Sequence, residues 1–128
     1  MDRLPVAFQR LESVAVVALV TAVFVGQGFA WWWLLVLFLA FDLSMVGYAV
    51  SPRLGAWTYN AGHSYVGPAL LGLLALGGAR WAAFVALAWA FHVGVDRALG
   101  YGLKFTDRFQ HTHLGDLDGR PAAIEERR

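Results

Sequence analysis

The stretch RWAAFVALAWAFHVGVDRALG, residues 80–100, decides how the chain is read. It is apolar on every side, opens at Arg80 and closes at Gly100. At 1.5 Å per residue it matches a hydrocarbon core about 30 Å thick. Its ionisable residues after the first position, His92, Asp96 and Arg97, all fall in the second half. Three further stretches share this character, over residues 11–29, 30–50 and 61–78. Pro52 ends the second, because proline disfavours helical geometry in the residue before it. Gly77-Gly78 closes the third and Gly100-Tyr101-Gly102 the fourth. The expected fold is all-α: a four-helix transmembrane bundle over residues 1–115, followed by a polar, flexible cytoplasmic tail over 116–128.

Composition points the same way. Of the 128 residues, 59% are hydrophobic and 15% charged, whereas soluble domains carry about a quarter charged residues. A soluble bundle would need a polar face on each helix, and none of the four stretches has one. The length allows one domain. A net charge of +1 removes any bulk electrostatic case for nucleic acid. The absence of cysteine excludes disulfides, thiolate metal sites and a Cys nucleophile together. The first apolar stretch lacks a small-residue cleavage site and is expected to be retained as a span.

Four spans place the N-terminal tail, the 51–60 loop and the C-terminal tail on one side. Arg3, Arg10, Arg53, Arg97, Lys104, Arg108, Arg120, Arg127 and Arg128 fall on that side, and Arg80 alone on the other. By the positive-inside rule both termini are cytoplasmic, and the protein is expected in the inner (plasma) membrane. Trp31, Trp32, Trp33 and Trp81 then form an outer aromatic belt, with Trp57 and Tyr59 at the inner interface.

Ionisable side chains inside a span cost about 2.5–3.5 kcal/mol each on insertion scales. Asp42 lies eight residues before the end of its span and His92 eight before Gly100, about 12 Å deep. Asp96 stands one turn from His92 on the same helix face. His63 begins the third span, and Glu12 takes the matching place in the first. All belong to the cytoplasmic half, and polar groups from separate helices cost less buried together than facing lipid singly. One cytoplasm-facing pocket is therefore expected, with Asp42, His63, His92 and Asp96 turned inward. One of His111 and His113 is expected to fold back towards it, Thr112-His113-Leu114-Gly115 being the better candidate. Asn60, Arg97 and Lys104 complete the pocket candidates.

His and Asp side chains converging from different helices suit zinc, manganese or iron. Asp42, His63, His92 and His113 are the expected ligands, and Asp96 a fourth ligand or a general base. Pro68 is expected to kink the third helix.

The blocks FDLSMVGY (41–48), YNAGH (59–63), HVGVDR (92–97), GYGLK (100–104) and THLG (112–115) resemble the signature of a family of small bacterial membrane proteins. That family is described as domain of unknown function 4260, and the resemblance spans residues 11–115. It implies a multi-pass membrane protein and carries no activity with it. The pocket supports three readings: a metal-dependent hydrolase acting on a lipid-like substrate, a transporter or proton-coupled protein using the same groups as a relay, and a structural interaction subunit. Membrane lipid is the expected partner, and a homodimer would thicken so thin a bundle.

Overall fold

A computed structural model describes residues 3–117. The chain is mostly helical: α1 (Leu4–Gly26), α2 (Trp33–Phe38), a 3-10 helix continuing it (Leu39–Ala49), α3 (Pro52–Gly62), α4 (Val66–Leu76) and α5 (Arg80–Leu99). A short antiparallel pair follows, β1 (His111–Thr112) with β2 (Gly115–Asp116), in which His111 pairs with Asp116 and Thr112 with Gly115. Helix α5 is the hub: α1, α2 and α4 all pack on it, while α3 lies along the 3-10 helix. By length and composition, α1 and α5 are the two described helices long and apolar enough to cross a membrane.

Two arginines fix the α1–α5 pairing. Arg10 Nε near the start of α1 donates to the Ala98 carbonyl at the end of α5 (2.8 Å), and Arg80 at the start of α5 donates to the Gln27 carbonyl just past α1 (2.6 Å). The two helices are therefore antiparallel, and their opposite ends are joined by charge-assisted bonds to carbonyls that a helix terminus leaves free. At the Arg80 end, Phe24 is fully buried against Phe29 and Phe84, with ring centroids 5.0–5.5 Å apart.

The 3-10 helix is unusually long, since such runs rarely exceed three or four residues. Its three-residue turn places Phe38, Phe41, Ser44 and Gly47 on one inward column. Leu39, Leu43, Val46 and Val50 are left exposed. With a rise of about 2.0 Å per residue, α2 and the 3-10 helix together reach about 31 Å in only seventeen residues.

The fourth apolar stretch forms its helix as expected, closed at Gly100 in the left-handed conformation (φ +97°). The third does not. No continuous helix covers 61–78: α3 occupies the segment read as a loop, the chain breaks at 63–65, and α4 covers only Val66–Leu76. Ser51 explains the early start, because its side chain accepts the Leu54 N–H (3.0 Å) and Pro52 fits the first helical position. Pro68 kinks nothing. It lies in the first turn of α4, where a missing N–H costs no helical bond. Helix α1 begins at Leu4, seven residues before the expected span. Of the segment read as a tail, Asp116 belongs to β2 and accepts a bond from Arg108 Nη2 (2.5 Å); residues 118–128 lie outside the described residues.

The α3 contact is tight enough to test. A Cβ on Gly47 would fall 2.8 Å from the Leu54 carbonyl oxygen and closer still to Thr58 Oγ1. Gly47→Ala is expected to destabilise the protein by about 1–3 kcal/mol, the usual cost of overpacking. Gly72→Ala, with nothing within 4 Å of its Cβ, is expected to be neutral or stabilising by up to about 1 kcal/mol. Thermal unfolding in mild detergent checks the contrast, and equal midpoints would show that α3 does not pack on the 3-10 helix as described.

Candidate metal centre

Four side chains from three places in the chain meet at one point: Asp42 on the 3-10 helix, His63 at the end of α3, and His92 and Asp96 one turn apart on α5. Their ligand atoms all lie within 4.8 Å of one another. The two imidazoles face each other through Nε2, 2.9 Å apart. Asp96 Oδ2 is 3.2 Å from both Nε2 atoms, and Asp42 Oδ1 is 3.2 Å from that of His63 and 3.5 Å from that of His92. The imidazoles are sealed, at 2% and 0% exposure, while Asp96 is 14% and Asp42 31% exposed.

The surroundings set the tautomer of His63. Its Nδ1 lies 3.0 Å from the Tyr59 carbonyl and 3.1 Å from Ser44 Oγ. The Ser44 hydroxyl hydrogen is already given to the Phe41 carbonyl (2.9 Å). Both neighbours of Nδ1 therefore act as acceptors, so Nδ1 carries the proton and Nε2 of the neutral ring presents a lone pair to the centre. Tyr59 also stacks flat on the His63 ring, with centroids 3.8 Å apart and 6° between planes. Phe38 and Phe41 hold the His92 ring, at 4.3 and 5.6 Å. Carbonyls at the end of α3 are taken by α5: Trp89 Nε1 donates to Gly62 O (2.6 Å) and Arg97 Nη2 to His63 O (2.8 Å).

The His63 lone pair faces the His92 nitrogen and two carboxylate oxygens at once. Protonated imidazoles would pair with the two carboxylates as ion pairs. That pairing sets the two Nε2–H groups against each other at 2.9 Å. A divalent cation answers all four, since a carboxylate oxygen and a neutral imidazole nitrogen are both ligands. Tetrahedral zinc with ligand bonds of about 2.0–2.1 Å needs ligand atoms about 3.3–3.4 Å apart. Five of the six separations here run from 2.9 to 3.5 Å, and the sixth, between the two carboxylates, is within 4.8 Å.

The other sequence candidates lie elsewhere. His113 Nδ1 accepts the Leu103 N–H (2.8 Å) and is outside the four. His111 pairs with Asp107 (Nδ1 to Oδ2 2.8 Å) beside the Phe105 ring. Glu12 is exposed on α1. Arg97 is buried on the His63 carbonyl, as above. Asn60 grips the Lys104 backbone in both directions, donating to its carbonyl (2.9 Å) and accepting its N–H (2.7 Å), which ties the C-terminal segment to α3. Lys104 is 5% exposed, with Nζ 3.8 Å from the centre of the Phe109 ring and 4.8 Å from that of Tyr59. Ser44 and Tyr59 were not among the sequence candidates. Their signal is the three-residue spacing Phe38, Phe41, Ser44 and the four-residue step from Tyr59 to His63.

What the fold and site define is a small helical protein, apolar on its outside, with a buried cluster of two histidines and two aspartates. The chain matches the model of the family described as Domain of unknown function (DUF4260) over residues 6–117, and it belongs to that family. No curated protein and no solved structure matches it.

Burial pushes the Lys104 ammonium from 10.5 down to about 8, against the opposing pull of the Asp96 carboxylate. Between those values the unfolded chain binds the extra proton, so stability rises with pH. The unfolding midpoint in detergent is expected to climb from about pH 8 to about pH 10 and to climb less in Lys104→Met. An identical slope in the two proteins would show that Lys104 is solvated.

Proposed function

We propose that this chain is a multi-pass membrane protein that binds one divalent cation, zinc first among them, between Asp42, His63, His92 and Asp96. The cation would serve hydrolysis of a lipid-like substrate at the cytoplasmic leaflet. The observation that carries the reading is the meeting of four candidate ligand atoms within 4.8 Å of one another.

The outward faces support the membrane. Leu39, Leu43, Val46 and Val50 on the 3-10 helix, and Leu70, Leu73 and Leu76 on α4, are all exposed, more contiguous apolar surface than a soluble monomer carries. The antiparallel α1 and α5, with Arg10 bonded to Ala98, bring the N-terminus and the C-terminal segment to one end. Arg3 and Arg10 at the start of α1 and Arg97 in the last turn of α5 lie at that end. The cluster lies about 6–12 Å inside it by helical rise from Gly100, which suits an amphipathic substrate.

Four protein ligands make a closed set, as in structural zinc sites, whereas catalysis needs an open position. Asp42, the most exposed of the four, is the one placed to give way. Asp96 spans both imidazoles and would stay as ligand with them. A bound divalent cation would supply an activated water at neutral pH. Asp42, the most exposed of the four, would be the carboxylate to accept its proton while His63, His92 and Asp96 hold the cation.

Protein purified in detergent is expected to hold one zinc per chain by elemental analysis. His63→Ala and His92→Ala should abolish it, and Asp42→Asn should weaken it. Stoichiometric metal surviving His92→Ala together with Asp42→Ala would sink the site. Failure of wild type to bind added zinc, combined with pH-dependent uptake into proteoliposomes, would favour a proton relay. Orientation is testable because the chain has no cysteine. Ala30→Cys and Asp107→Cys should react with an impermeant thiol reagent from opposite faces of membrane vesicles, and labelling from one face would overturn the topology.

A further inference from the structure

Beside the metal cluster stand two donors that nothing in the fold receives. Lys104 Nζ and Tyr48 Oη are both buried without a hydrogen-bond partner. A buried ammonium with no acceptor is costly, and ring faces repay only part of it. The two groups belong to one aromatic nest. Lys104 lies over Phe109, and Tyr48 meets the same Phe109 ring edge-on with centroids 5.2 Å apart. Phe109 in turn meets Tyr59 (6.4 Å), the ring stacked on His63. The nest therefore abuts the metal cluster through a single aromatic ring.

We propose that Lys104 and Tyr48 form an oxyanion subsite next to the metal cluster, taking the phosphate group of an amphipathic or soluble phosphate ester. This rests on the site described above for its place in a reaction, but not for its existence. Both groups present donors, an ammonium with three N–H bonds and a phenol with one, and an acceptor-rich ligand would satisfy them together. Phosphate supplies several acceptor oxygens and a charge that offsets the buried cation. Among the described residues no carboxylate bonds to either group: Asp42 and Asp96 point at the imidazoles, Asp107 is taken by His111 and Asp116 accepts from Arg108. The pull of Asp96 on the ammonium therefore acts only at a distance. The four-carbon lysine stem gives Nζ room to reach out. An apolar groove of about 630 Å3 is lined in part by Leu103 and Thr106, chain neighbours of Lys104, and by Asn60, which holds the Lys104 backbone; the Lys104 and Tyr48 side chains themselves do not line it.

The test measures inorganic phosphate binding by 31P NMR line broadening on full-length protein in phosphatidylcholine nanodiscs, with and without prior chelation of metal. Chelated wild type is expected to bind phosphate, and Lys104→Met to weaken binding about tenfold or more, the cost of a lost charged hydrogen bond. Tyr48→Phe keeps the ring and removes one donor, and should weaken binding by about threefold to tenfold. It stays informative if Lys104→Met fails to fold. His92→Ala should leave phosphate binding to chelated protein within about twofold while losing zinc, so failure of the metal reading and failure of this one are separable. Nanodiscs containing phosphatidic acid tell the two sources apart. Competition with inorganic phosphate means a lipid headgroup, and none means a soluble ester; either supports the subsite. No broadening by wild type, or equal binding by wild type and a folded Tyr48→Phe or Lys104→Met, overturns it.

Discussion

The fold turns on one imidazole. His63 is 2% exposed, and each part of it is held by a different element. Tyr59 and Ser44 take its Nδ1, its carbonyl receives Arg97 of α5, and its Nε2 meets Asp42, His92 and Asp96. With Nδ1 held by two acceptors, Nε2 is the one remaining nitrogen, and the structure turns it towards three partners. Everything near it serves to place the ring. Helix α3 ends at Gly62 so that His63 can turn in, and α5 supplies the two donors that close the α3 terminus. Removing the ring would leave two carboxylates with His92 alone between them, and the buried Arg97 without its carbonyl's fixed position.

The positions of the elements follow from where polar groups can be afforded. Near Arg80 the interior is phenylalanine packed on phenylalanine, and the bond that closes this end runs from Arg80 to the Gln27 carbonyl. At the opposite end the interior is polar, and the C-terminal segment folds over it through Asn60, Lys104 and Phe109. The asymmetry divides the labour. One end supplies packing and the other holds charge.

Much of this was readable from residues, and the misses have physical causes. Helix α5 was legible because a continuous apolar run stops at Gly-Tyr-Gly, which leaves little freedom of interpretation. Asp42, His63, His92 and Asp96 stood out because ionisable groups in apolar helices need partners, and they are the four that come together. Family membership was legible from the blocks around them. What could not be read was α3. Ser51-Pro52 serves equally to end one helix and to cap the next, and hydropathy sees only the first role. The 3-10 winding was also hidden, because a period of three and one of 3.6 differ little over so few residues. His113 was expected at the centre and is instead engaged with the Leu103 N–H. The decisive bond there is to backbone, about which side-chain chemistry says nothing.

That winding has a torsional consequence. A 3-10 helix advances about 120° per residue and an α-helix about 100°. If the segment Leu39–Ala49 rewound to α, each step would lose about 20°, and Asp42, three residues in, would turn by about 60°. Gly47, eight residues in, would turn by about 160°, and the run would shorten by about 5 Å. Phe41 and Ser44 would leave the imidazoles together with the carboxylate. Assembly of the cluster and the twist of this one segment are therefore the same coordinate, and a ligand that grips Asp42 also sets the pitch of the helix that carries it.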